Sequence, residues 1–438
     1  MHPIGIGEVL RRIIGKSVIQ LVKPDIQKAA GCLQMCTGLR SGIEAAVHMT
    51  HKAWSDNTTE AILLVDADNA FNRLNRQAAL HNTKQICPPI HTFLKNHYQV
   101  PTDLILNTPT ECPSLDSEEG CTQGDTAAMA FYALGIKPLV DALEDNIKSV
   151  DCKQSWYADD SSASGKLRSI ALWWDKLNEL GPRYGYFPNP GKTHLLVKDS
   201  KTALQASALF SGSGVQIVAD GHRYLGSAVG TASFIDKYVK EKVSKWIDVT
   251  ELSKYALEEP QVALSAYTKG LCHRWAFIQR TTPGISSLFS PLEECIREIF
   301  IPAVIGRKVS DLERRIISLP VRHGGLGISN PVETCEREHH ASKLVTNDLS
   351  DLIYRQVSDK KNKENHLRSS YQEVLQQIED PAIKRALTLS SEKGSGSWLT
   401  VLPLKEFGYC LNKQEFRDAL CLRYGWNIPK TPTLLTTH

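Results

Sequence analysis

A chain of 438 residues, 42% apolar and 23% charged, has enough material for about two to four domains with sizeable cores. Its net charge of +3 is weak support for nucleic-acid binding and carries little weight, because a partner meets a folded basic stripe and not a total. Eleven scattered cysteines, an odd number, argue against a secreted disulfide framework, and with no signal-peptide core after Met1 and no run long enough to span a bilayer the chain reads as intracellular and soluble, with no membrane partner.

The chain opens on Pro3-Ile4-Gly5-Ile6-Gly7 and continues into Val9-Leu10-Arg11-Arg12-Ile13-Ile14-Gly15-Lys16. Arg11, Arg12 and Lys16 there either touch phosphate or make an exposed basic helix face. Thr37 to Gly42 reads as a loop before a helix through Ile43, Val47 and Trp54. In Ala61-Ile62-Leu63-Leu64-Val65-Asp66-Ala67-Asp68-Asn69-Ala70-Phe71-Asn72 the apolar run reads as a buried strand that delivers Asp66 at its end. An acid there is costly unless it is paired or coordinates a metal. Residues 73 to 116 read as a helix with intervening strands. Glu119-Gly120-Cys121-Thr122-Gln123-Gly124-Asp125 then offers glycine for close backbone approach and Asp125 as a cap, ahead of a helical pattern from Thr126 to about Ile147 that Pro138 should kink.

Gln154-Ser155-Trp156-Tyr157-Ala158-Asp159-Asp160-Ser161-Ser162 sets two acids side by side. Neighbouring strand residues point to opposite faces, so both serve one site only if a tight hairpin turns the backbone there. Alone the pair reads as a solvated turn. With Asp66 it reads differently: Asp66 and Asp159 would hold two hard cations through oxygen ligands, an arrangement that activates an attacking hydroxyl and stabilises a leaving oxygen. Leu167 to Tyr184 is an amphipathic helix whose Trp173 and Trp174 are assigned to packing. Gly185-Tyr186-Phe187-Pro188-Asn189-Pro190-Gly191-Lys192-Thr193 is a loop presenting one lysine before the apolar run Leu195 to Val197. Val215 to Ala219 and His222 to Leu225 flank Asp220-Gly221, a two-residue hairpin signal.

Past Gly230 the pattern turns helical, with stripes through Ile235, Val239, Val243 and Trp246 and through Leu264, Tyr267, Leu271 and Trp275. Capping boxes are expected at Ser290 to Glu293 and at Ser310 to Glu313. Leu319 to Ile328 is a Gly-rich turn without the Lys-Ser or Lys-Thr ending of a phosphate loop. Beyond it come helical segments, polar linkers at Asp359 to Asn365 and Ser390 to Ser397, and a capped start at Asn412 to Glu415. Cys335 with His339 or His340 lacks the second pair that zinc needs.

In order and spacing, the stretches around Asp66, Gln123, Asp159 and Lys192 resemble the palm of reverse transcriptases, most closely those of non-LTR retrotransposons and their group II intron relatives. The resemblance spans Pro3 to Gly226. It implies an α+β fold: a right-hand polymerase palm at 61–230 with partial fingers at 1–60, a three-helix thumb at 231–320, and a helical C-terminal extension of unknown role at 321–438. It also implies RNA-directed DNA synthesis on an RNA template from a DNA primer and dNTPs, with two Mg2+ ions or Mn2+ in their place. Asp66, Asp159 and Asp160 correspond to the metal-binding acids. Phe71 corresponds to the residue under the incoming sugar, where a ring would clash with a 2′ hydroxyl and so argues against an RNA-synthesising relative. Gln123 and Gly124 resemble the residues beside the nascent pair, Arg11 and Arg12 lie where template and nucleotide are first met, and Lys192 is similar to the lysine that protonates departing pyrophosphate. Tyr224-Leu225-Gly226 resembles the hairpin that grips the primer. Two departures favour the alternative of an inactive, truncated remnant that still binds nucleic acid: His2 stands where the family carries arginine, and further fingers segments are expected upstream of Met1.

Overall fold

The computed structural model describes residues 5, 7–105, 113–147, 151–247, 249–319, 325–356, 381–390, 418, 419 and 422. His2, Pro3, residues 320–324, both polar linkers apart from Ser390, and the 412–416 helix start lie outside them. The chain divides into two compact units, Met1–Asp359 and Lys360–His438, and the second is described mainly as one helix, Pro381–Ser390.

The first unit is mixed α+β. Helices α1 (Val9–Ala30) and α2 (Gly42–Ser55) lead into β1 (Ala61–Val65). Then follow α3 (Ala70–Arg73), α4 (Arg76–Ile86), α5 (Pro88–Tyr98), and the ribbon β2 (Thr102–Ile105) with β3 (Ser114–Ser117). The expected Thr126–Ile147 helix is broken into α6 (Ala128–Gly135) and α7 (Lys137–Ile147), with Pro138 in the first turn of the second, where its missing N–H costs least. Strands β4 (Cys152–Tyr157) and β5 (Asp160–Gly165), helix α8 (Leu167–Leu180), β6 (His194–Val197), α9 (Ser200–Leu209) and β7 (Gln216–Val218) complete the sheet region. Strand order is β4-β5-β1-β6-β7, antiparallel except for the β6–β7 edge. Every residue of β1 is buried, as a continuous apolar run at the centre of a covered sheet should be.

The hairpin expected at Asp220-Gly221 does not form. β7 instead pairs with β6, while β8 (Gly221–Tyr224) folds back on β9 (Ser227–Gly230) through Leu225 and Gly226. Both turn residues have positive φ, 47° and 83°, so the two-residue turn falls there.

The helical region that follows has more than three helices: α10 (Ala232–Trp246), α11 (Val249–Ala256), α12 (Pro260–Lys269), α13 (Ala276–Thr281), α14 (Ser290–Cys295), α15 (Ile301–Ile305) and α16 (Asp311–Ser318). The Ser310–Glu313 capping box is made. At Ser290 it is not, because a preceding 3-10 turn moves the helix start to Phe289 and leaves the serine inside.

Helix α17 (Pro331–Tyr354) joins the two hydrophobic cores, its Cys335 packing with the helical region and its Ile353 with the sheet region. It lies along α2, which sets Glu44, Ala45 and His48 against a stripe of Ser342, Thr346 and Ser350. The hydroxyls make that stripe buriable: Ser342 donates to Glu44 at 2.6 Å, Thr346 to the Ser342 carbonyl at 2.8 Å and Ser350 to the Ala45 carbonyl at 3.3 Å.

Candidate active site

β1 ends at Val65, paired with Ser161, so the next position along β1, Asp66, comes opposite Asp160 at the start of β5. Tyr157 pairs with Asp160, which leaves Ala158 and Asp159 as the two-residue turn between β4 and β5. Ala158 has a φ of 56°, a left-handed conformation that costs a residue with a Cβ about 1 kcal/mol. The side chain of Gln34, fully buried, holds it there: its amide oxygen accepts from the Ala158 N–H at 2.8 Å and its amide nitrogen donates to the Ala158 carbonyl at 3.0 Å. Buried Tyr186 donates to the Asp159 carbonyl at 2.9 Å and lies 3.0 Å from the Ser161 hydroxyl. The turn carrying the paired acids is thus gripped from two sides.

Charge crowds this end of the sheet. Burial, then the neighbouring charges of Asp159 and Asp66, push the Asp160 carboxyl up to about 7, against an opposing pull from Arg223. Lys192 Nζ sits 3.4 Å from Asp66 Oδ2. The backbone brings it there, since the Asp68 N–H donates to the Phe187 carbonyl at 2.8 Å and the Asn189 N–H to the Asp66 carbonyl at 2.8 Å. Among the described residues no group of three or more His, Cys, Asp or Glu side chains stands at metal-holding geometry. The three aspartates meet at the level of acting on one another's charge. Mg2+ asks for one or two carboxylates plus substrate phosphates rather than a closed protein cage, and the hard oxygen donors of Asp66 and Asp159 fit that demand.

The loop Glu119–Asp125 docks directly on the turn that carries Phe71. Cys121 N–H donates to the Phe71 carbonyl at 2.7 Å and Gly120 N–H to the Leu74 carbonyl at 3.0 Å. Only glycine fits at 120: its φ is 73°, and a Cβ would lie 2.4 Å from the backbone of Asn72 and of Phe71. The Phe71 ring is buried and stacked on Tyr132, centroids 4.6 Å apart. Gln123 is half-buried and Gly124 exposed beside it, with a φ of 101°.

Two expected contact residues, Arg11 and Tyr224, are engaged within the protein. Arg11 reaches His97 and lies 3.9 Å from Asp125, while Arg12 is exposed. Asp125 accepts from the Ala127 N–H at 2.7 Å, a bond within the loop; it is not the helix cap expected of it, because α6 starts at Ala128 with Ala127 at its N-cap and no side-chain cap bond. Tyr224 turns its ring into the core, its hydroxyl 3.4 Å from those of Ser155 and Ser162, so Leu225 and exposed Gly226 form the accessible tip of that hairpin. The sequence reading missed Gln34, Arg76 and His97 as parts of this region. Nothing near any of them in the chain marks the role.

No protein-family model matches the chain, and no curated protein matches it. Among solved structures it is similar to the apo telomerase of Candida tropicalis at 11% identity and a TM-score of 0.39, with 81% of this chain and 60% of that one covered. It is similar to the telomerase of Candida albicans in complex with a TWJ fragment of telomeric RNA at 10% identity and a TM-score of 0.38, over 82% of this chain and 57% of that one. A C-terminally truncated apo telomerase of Candida tropicalis gives 14% identity and a TM-score of 0.37, over 50% of this chain and 44% of that one. The chain thus spans less than two thirds of the length of each.

Proposed function

We propose that the chain is an RNA-directed DNA polymerase of a retrotransposon-like mobile element, joining a dNTP to the 3′ hydroxyl of a DNA primer on an RNA template. The observation that carries this reading is the meeting of Asp66, Asp159 and Asp160 at one end of the sheet, with Lys192 3.4 Å from Asp66. Like charges are gathered at a cost to stability where a functional site needs them. In this reading residues 61–230 are the palm, 231–320 the thumb and 1–60 part of the fingers.

Asp66 and Asp159 would hold Mg2+, which when bound lowers the pKa of the primer hydroxyl and neutralises charge on the transferring phosphate. The chain's own groups position the reactants. Phe71 on its docked turn closes the space beneath the sugar to a 2′ hydroxyl. Gln123 and Gly124, on the loop bonded to that turn, lie against the nascent pair, and the Leu225-Gly226 tip supports the primer end. Lys192 gives a proton to the departing pyrophosphate, and until then its charge is balanced by Asp66. Positioning and charge neutralisation together account for most of such a reaction's acceleration.

Extension of a DNA primer on an RNA template with Mg2+ tests the reading. The chain should extend the primer and Asp159→Asn should not, with unchanged circular dichroism. Extension that survives Asp159→Asn, or a parent that does not extend, sinks it.

A further inference from the structure

The loop Glu119–Asp125 is clamped at both ends by side chains that come from elsewhere in the chain. At its start, buried Arg76 donates through Nε to the Gly120 carbonyl at 3.0 Å, through Nη1 to the Ser117 carbonyl at 2.8 Å and through Nη2 to the Glu119 carbonyl at 2.9 Å, and its backbone N–H donates to Glu119 Oε2 at 3.0 Å. At its end, His97 Nε2 lies 2.6 Å from Asp125 Oδ2, and both side chains are 9% exposed. Arg11 brings its guanidinium to the same edge of the imidazole, with Nε 3.0 Å from Nε2. One ring nitrogen cannot serve both. A carboxylate only accepts and a guanidinium only donates, so the Nε2 proton goes to Asp125 and Arg11 contributes its charge. Burial works to raise the Asp125 carboxyl, but the His97 bond and the Ala127 amide outweigh it and hold the group below the usual range. The ring is held edge and face, stacked on Phe93 at 5.5 Å between centroids and set against Tyr98 at 4.9 Å. Helix α1 closes over the assembly: a Cβ on Gly15 would lie 2.1 Å from Thr126 Oγ1, and Gly5 N–H donates to the Gln123 carbonyl at 2.7 Å.

We propose that His97 is a positioning residue that fixes the backbone of Gln123 and Gly124 through Asp125, and thereby sets how the incoming nucleotide is bound. The effect on nucleotide rests on the polymerase reading above; the clamp itself does not. Apart from those of Arg76 and the approach of Arg11 to His97, the bonds in it end on Asp125 or on the Gln123 carbonyl. Loss of the His97 proton donor frees the loop end while the Arg76 end, the Phe71 turn and the carboxylates at the sheet end keep their partners. The expected signature is therefore a change in nucleotide affinity and not in the chemical step.

The experiment compares the full chain with His97→Ala, His97→Gln and Asp125→Asn by amide hydrogen exchange and by primer extension over a range of dNTP concentrations. With the clamp as drawn, exchange at Cys121 to Ala127 speeds up about tenfold in His97→Ala, the worth of one charged hydrogen bond, while that of β1 does not change. The dNTP KM rises about as much with kcat within about twofold, and His97→Gln, which can still donate to the carboxylate, restores most of both. Unchanged exchange in a folded His97→Ala, or in His97→Gln and Asp125→Asn should His97→Ala fail to fold, overturns the clamp whatever the activity. A loosened loop with unchanged KM overturns its role in nucleotide binding. A parent that extends no primer while His97→Ala loosens the loop brings down the polymerase reading and upholds the clamp.

Discussion

Glu44 and Asp160 are both acids set among buried groups, one in the seam between α2 and α17 and the other at the end of the central sheet, and their company differs in kind. Glu44 accepts from Arg280 at 2.9 Å and from Ser342 at 2.6 Å, and Ser342 lies 2.9 Å from His48 Nε2. Asp160 has two further acids for neighbours and a carboxyl pushed up to about 7 by burial and by them. The seam is what a chain does with polar groups when only folding is asked of it: Glu44, Arg280, Ser342 and His48 each find a partner, and the network specifies how two helices lie together. The sheet end keeps charges that repel. Such an arrangement persists where something other than stability requires it.

Asp160→Asn is the sharpest way to break this comparison. It removes a crowded charge, so activity should fall at least about a hundredfold while the melting temperature holds or rises, by the equivalent of about 1 kcal/mol. Differential scanning calorimetry beside the primer-extension assay reads both. A variant that loses stability would mean that the carboxylate was holding the hairpin, and the contrast with Glu44 would disappear.

Glu44→Ala should do the reverse. It removes an acceptor from buried Ser342 and from Arg280, whose side chain is 34% exposed and can turn to water, a loss of about 1 to 2 kcal/mol seen as a lower urea midpoint, with primer extension by the folded fraction unaffected. A change below about 0.5 kcal/mol would show that the Glu44 bonds add nothing to the seam.

How much of this was legible beforehand follows from how local each signal is. β1 with Asp66 at its end, and the turn that carries Asp159 into Asp160, are set by hydrophobic period and by neighbouring residues, so they can be read along the chain. Gln34 cannot, because its partner Ala158 lies 124 positions away; His97 and Asp125 are 28 apart, and Arg76 and Gly120 are 44 apart. A buried glutamine is silent in sequence until its acceptor is known. The Asp220-Gly221 turn failed for a related reason: the local signal was sound, but β6 offered β7 an edge, and Leu225-Gly226 offered β8 a better turn. The seam was hidden because a Ser and Thr stripe on α17 looks like a solvated face until α2 is laid along it.

Phe71 tests the border between the two regions, since it belongs to the core and to the proposed sugar gate at once. Phe71→Val should cost about 1 to 2 kcal/mol through lost packing on Tyr132 and should raise ribonucleotide incorporation relative to dNTP about tenfold. Lost stability without ribonucleotide use would leave the ring as core only, and Tyr132→Leu, which keeps Phe71 in place, should lower stability without changing sugar choice.

The smallest effect belongs to the histidines of the seam. His48 and His51 line a cleft of ≈ 630 Å3 between α2 and α17, and both are held at about 4, first by burial and then by the charges around them: His339 and Lys343 act on both, and His48 acts on His51. Glu44 opposes the shift at His48. Below the ordinary histidine value of 6.5 the unfolded chain takes up protons that the folded chain refuses, so stability should fall as pH drops from about 6.5 to about 4 and then level off; above 6.5 both imidazoles are neutral in either state and contribute nothing. His51 Nε2 is buried with no hydrogen-bond partner among the described residues, so His51→Gln removes a titrating group without breaking a bond at that atom. Thermal melts of parent and His51→Gln from pH 4 to pH 8 should coincide above pH 7 and separate below pH 6, the variant melting higher by a few degrees, which is what about 1 kcal/mol does in a domain of this size or smaller. Parallel curves across the whole range would show that His51 carries its proton as readily folded as unfolded, and that the seam tolerates charge as the sheet end does.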